Sequence, residues 1–172
     1  MKINELKRNL KESSKEQLIK DIVDLYKKNE FVKDYYCSKY SEDGDISLLI
    51  KHKDIIEHEF FPVNGLGDAK LSVAKKAISE YKKVNANPEH IAELMIFYVE
   101  NGVRYTDCYG DINEQFYISM ETMFDKALNT ITVNKLEKKF IERCKKIVSE
   151  TQHMGWGFHD ELYETYYRYL EE

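Results

Sequence analysis

The stretch IAELMIFYVENGVRYTDCYGDINEQFYISMETMFDKAL, residues 91–128, decides the fold. Its first half puts Ile91, Ala92, Leu94, Met95, Ile96, Phe97, Tyr98 and Val99 on almost every face of a helix. A helix apolar nearly all round belongs at the centre of its bundle. The second half is amphipathic, with Ile112, Phe116, Met120, Met123 and Ala127 along one stripe. Between the halves, Gly102 predicts a left-handed cap that ends a helix over 88–101. Asp111 and Glu114 predict a capping-box-like start for a helix over 111–128. The loop framed by these signals is rich in Tyr, Asp and Gly.

Working outward, Asn87 caps the first of these helices and Pro88 takes its first position, where the missing donor costs nothing. Residues 69–84 place Leu71, Ala74, Ile78 and Tyr81 on one stripe behind Asp68, a candidate N-cap. Ile46, Leu49, Ile50, Ile56 and Phe60 mark a helix that Pro62 stops. Nearer the N-terminus, short helical patterns run over 3–10, from a Ser14–Gln17 capping box to Tyr26, and from Asn29 to Tyr40. Downstream, 133–150 and 158–171 keep the same period. No alternating run is long enough for a strand. The expectation is an all-α chain, an antiparallel bundle or short HEAT-like superhelical stack of about seven or eight helices. It reads as a single domain over 1–172, with N-terminal helices at 1–60 and a core stack at 68–172.

Composition narrows the function classes. Two prolines and seven glycines in 172 residues favour long helices. The net charge of −5 and the lack of a basic tail argue against nucleic-acid binding, which needs clustered Lys and Arg to displace counterions. Cys37, Cys108 and Cys144 form no Cys-x-x-Cys pair, so no thiolate metal site is signalled. With no signal-like start and no apolar run long enough to span a bilayer, the expectation is a cytoplasmic protein that avoids membranes. No phosphate loop or dinucleotide fingerprint implies a cofactor, and none is expected.

Candidate functional residues come from linker placement. If the helices after residue 68 alternate up and down, the linkers at 61–67, 102–110 and 151–157 fall at one end. Six of the seven glycines, Gly65, Gly67, Gly102, Gly110, Gly155 and Gly157, lie in those three linkers. The same linkers and adjoining turns carry Tyr105, Asp107, Tyr109, Asp111, Glu114, Trp156, His159 and Asp160. Loops on a rigid scaffold commonly carry function, and Tyr and Trp offer rigid surface with a polar tip. The leading expectation is a binding or adaptor protein that contacts a protein or small-molecule partner through this end. The alternative is a metal-assisted hydrolase using Asp107, Asp111, Glu114, His159 and Asp160, although no diagnostic metal spacing is present. A plainer account also fits: Asp111 caps, Trp156 plugs the bundle end, and His159–Asp160 sit in a first turn. A homo-oligomer is the third expectation, should the tyrosine-rich helix 158–171 leave an apolar stripe exposed.

LSVAKKAISEYKK at 71–83, YVENGVRYTDCYGDINEQFY at 98–117 and IVSETQHMGWGFHDEL at 147–162 carry a resemblance. At these segments the chain resembles a bacterial helical family, domain of unknown function 6155, across nearly its whole length. The YGDI and GWGFHD segments are the most specific. The resemblance implies a small bacterial cytoplasmic protein and brings no catalytic residues.

Overall fold

The structure, a computed structural model, describes residues 1–64 and 68–170. The described residues form nine α-helices: α1 (Ile3–Glu12), α2 (Lys15–Lys28), α3 (Glu30–Tyr40), α4 (Gly44–Phe60), α5 (Leu71–Val84), α6 (Pro88–Tyr109), α7 (Glu114–Val133), α8 (Glu137–Glu150) and α9 (Phe158–Leu170). Among the described residues there is no strand. The chain is all-α, a packing of antiparallel helices. None of the described helices is long and apolar enough to cross a membrane.

The chain divides into two compact units, Met1–Asp45 and Ile46–Glu172. In the first unit, α2 and α3 form a helical hairpin. Ser14 Oγ caps α2 by accepting from Gln17 N, and Asn29 Oδ1 caps α3 by accepting from Val32 N. Neither these helices nor α1 buries a single residue.

The second unit holds the core. Helix α6, 22 residues long, packs against α5, α7 and α8, while α7 also packs against α9. Leu94, Met95, Ile96, Tyr98 and Val99 are fully buried on α6, as are Met120, Phe124 and Leu128 on α7. Phe60 of α4 and Tyr81 of α5 belong to the same core. An ion-pair network ties three helices together: Arg143 of α8 donates from Nε and Nη2 to the two oxygens of Glu100 (2.8 and 2.7 Å) and from Nη1 to Glu93. Lys53 of α4 donates to the other Glu93 oxygen at 2.9 Å. Burial works against the Glu93 charge, but these two cations outweigh it and hold its carboxyl below the ordinary range.

Three expected boundaries are corrected. Gly102 does not end a helix. It is buried inside α6, and a Cβ there would collide with Met120 Sδ. The glycine is present because α7 crosses close, and α6 runs seven residues further to Gly110, whose φ of +81° supplies the real cap. The expected linker 102–110 is therefore helix almost throughout. The second correction concerns α7, which is capped by Asn113, whose Oδ1 accepts from Phe116 N at 3.0 Å, and not by Asp111. The third concerns α5, which starts after Lys70 without a side-chain cap, so Asp68 does not cap it. The expectation that Gly65 and Gly67 join the loop-rich end lies outside the described residues.

Candidate functional site

Freed from capping, Asp111 joins two chain segments. Its Oδ1 accepts from Tyr117 Oη at 2.5 Å and from the backbone N–H of Gly155 at 3.2 Å. These two hydrogen bonds hold the Asp111 carboxyl below its ordinary range. Burial, followed by the same hydrogen bond, pushes the Tyr117 hydroxyl up to about 12. The YGDI and GWGFHD segments thus meet at the end where α6 stops and α9 begins. Gly155 lets the two segments approach closely: a Cβ there would stand 2.7 Å from Asp111 Oδ2 and push the carboxylate aside.

The next residue is unusual. Trp156 has φ +61°, a region that bulky side chains rarely occupy, and it is 61% exposed. Gly157 follows at φ +70° and leads into α9. The backbone turns sharply twice and holds an indole in solvent, so Trp156 does not plug the bundle. The indole borders a cleft of about 320 Å³ between the first turns of α7 and α9. Glu114, Ile118, Glu121, Tyr117, Gly157 and Glu161 complete its lining, and no Lys or Arg is among them. Partial burial, then the nearby Glu161 charge, push the Glu121 carboxyl up.

The other expected residues serve elsewhere. Tyr105 and Tyr109 pack on each other, ring centroids 4.7 Å apart, and both lie against Phe61. Asp107 pairs with His153 Nε2 at 3.0 Å. His159 Nδ1 donates to the Val148 carbonyl (3.1 Å) and lies 3.0 Å from Thr151 Oγ1, whose hydroxyl donates to the same carbonyl, so this ring closes the C-terminal end of α8. Asp160 is exposed in the first turn of α9, where its charge suits the helix N-terminus. Of the eight expected residues, the structure brings Glu114 and Trp156 to one cleft and makes Asp111 the tie that positions it. The alternative metal set of Asp107, Asp111, Glu114, His159 and Asp160 is not assembled. Among the described residues, no group of three or more His, Cys, Asp or Glu could hold a metal ion.

Tyr117, Glu121 and Glu161 were missed by the sequence reading. The signal was available in part, since Glu114, Ile118 and Glu121 are spaced i, i+4, i+7 and so share one face of α7. That Glu161 of α9 comes to stand beside them depends on a tertiary approach no local pattern carries.

The chain belongs to a family of unknown function, DUF6155, whose model matches residues 1–170. No curated protein and no solved structure matches it.

Proposed function

We propose that this chain is a binding or adaptor protein that receives a cationic group, a lysine or arginine side chain of a protein partner, in the Trp156 cleft. One observation carries the reading: an exposed Trp at positive φ borders a cleft with three carboxylates and no basic side chain. An indole face attracts a cation through its quadrupole, and more strongly where water is partly excluded. Glu121 and Glu161 repel each other across the cleft, which adds to the larger effect of burial in raising the Glu121 pKa, and a cation between them turns that repulsion into attraction. Asp111, fixed by Tyr117 and Gly155, holds the Trp156 turn against α7. A Trp kept only for packing would be covered; this one is not.

Trp156 is the sole tryptophan, so its fluorescence reports the cleft directly. Titration with short lysine- and arginine-containing peptides at low salt is expected to give a saturable change. The affinity should strengthen as pH rises through the raised Glu121 pKa, because only the ionised carboxylate attracts the cation. Glu121→Gln with Glu161→Gln should weaken binding about tenfold, two exposed charge contacts contributing roughly 0.5–1 kcal/mol each. Trp156→Asn, which suits positive φ, should abolish binding, read by calorimetry, and leave stability unchanged within about 0.5 kcal/mol. A flat titration, or equal affinity in the double Gln variant, removes this reading.

A further inference from the structure

The N-terminal unit carries an amphipathic helix and an apolar groove, and both leave apolar side chains exposed. On α1, Ile3, Leu6 and Leu10 lie at i, i+3 and i+7, the spacing of a helix that docks by one face. Ile3 is 70% exposed, Leu6 39% and Leu10 40%, and α1 buries none of its residues. Between α2 and α3 runs a groove of about 280 Å³ lined by Ile22, Leu25, Phe31, Val32, Tyr35 and Tyr36. Apart from the tyrosine hydroxyls, its walls are wholly apolar side chains.

We propose that α1 of one chain lies in the α2–α3 groove of a second copy, whose own α1 returns the exchange, giving a symmetric dimer. The chain itself supplies both complementary halves, an anchor helix and an open groove. Only Ser13 and Ser14 join α1 to α2, and Ser13 is extended at φ −80°, ψ 145°. Short connections of this kind favour exchange between copies over folding back. Charge permits the pairing, because Met1–Asp45 holds ten basic and ten acidic side chains, while the whole net charge of −5 lies beyond it. Two neutral surfaces approach without repulsion. Size requires reciprocity: one ten-residue helix, about 15 Å long, covers too little for a stable interface of roughly 800 Å² per partner. The exchange doubles that contact and gives each coreless unit an apolar interior. A unit of about 45 residues is near the lower limit for folding without such help.

Sedimentation velocity of the full chain from 1 to 100 µM tests the dimer. A concentration-dependent dimer is expected for the natural sequence. Leu6→Glu, which spoils the anchor, and Leu25→Glu, which spoils the groove, should each lower association at least tenfold. Mixed together, the two variants should associate more than either does alone but well below the natural chain, since only one of the two exchanges remains intact between them. Circular dichroism and an unchanged main thermal transition establish that the second unit stays folded in both variants. A chain that remains monomeric at 100 µM overturns the proposal, whether because α1 folds back or because the occupant is another protein. So does a Leu6→Glu variant that dimerises like the natural chain, which would place only α2 and α3 in the contact.

Discussion

Helices α2 and α8 are both 14 residues long and both amphipathic, yet α2 buries nothing while α8 buries Phe140, Cys144, Ile147 and Val148. The difference does not lie in either helix. It lies in what the chain sets opposite. Helix α8 meets α6, α7 and α9, so its stripe becomes core. Ile22 and Leu25 of α2, with Phe31 and Tyr35 of α3, line a groove and stay 40–54% exposed. An apolar stripe specifies that a helix needs a partner, not that its own chain supplies one.

The largest expected effect sharpens that contrast. Phe124→Ala in the fully buried core should cost about 3–5 kcal/mol in urea unfolding, from lost transfer energy and the cavity left behind. Ile22→Ala, at a site already 40% exposed, should cost the dilute monomer less than about 1 kcal/mol. Equal losses would mean that the first unit has a core of its own.

A smaller effect concerns two tightly placed glycines. Gly102→Ala gains helix propensity but drives a methyl into Met120, which is itself fully buried, and a net loss of about 1–3 kcal/mol is expected. Met120→Ala in the same chain should relieve the added penalty, read as non-additivity in a double-mutant cycle. In the first unit, a Cβ at Gly44 would collide with the backbone carbonyl of Cys37. Gly44→Ala should therefore loosen the last turn of α3, seen as reduced helicity, without shifting the main thermal transition.

The smallest effect is a pH dependence. The Asp111 pKa is lowered in the folded chain, so its hydrogen bonds stabilise fully above the unfolded value near 3.8 and are lost as pH falls through the lower folded value. Melting temperatures of the natural chain and Asp111→Asn should differ by a constant amount above about pH 5 and converge below pH 4. A gap unchanged down to pH 2.5 would assign the tie to something other than the carboxylate charge.

Local chemistry made much of this legible in advance. Asn87–Pro88, Ser14 and Asn29 marked true helix starts, and the apolar run from Ile91 to Val99 marked the central helix. Gly102 misled because a glycine at a helix end and a glycine under a crossing helix look alike in sequence; only Met120, eighteen residues away, distinguishes them. Asp111 misled for a similar reason, since Asn113, two residues on, competes for the same capping task. The meeting of YGDI with GWGFHD was anticipated from counting helices, but its form, an Asp holding the Gly155 amide, depends on a carboxylate 44 residues distant in sequence. Why unit one stays open was not legible at all, because its stripes read like those of any core.

Native-state hydrogen exchange at graded dilution tests the contrast most directly. Amides of α6 and α7 should stay strongly protected from 100 µM down to 0.1 µM, whereas those of α1–α3 should be protected only where the dimer is populated and should exchange freely on dilution. Protection of α2 and α3 matching that of α7 at 0.1 µM would contradict the account.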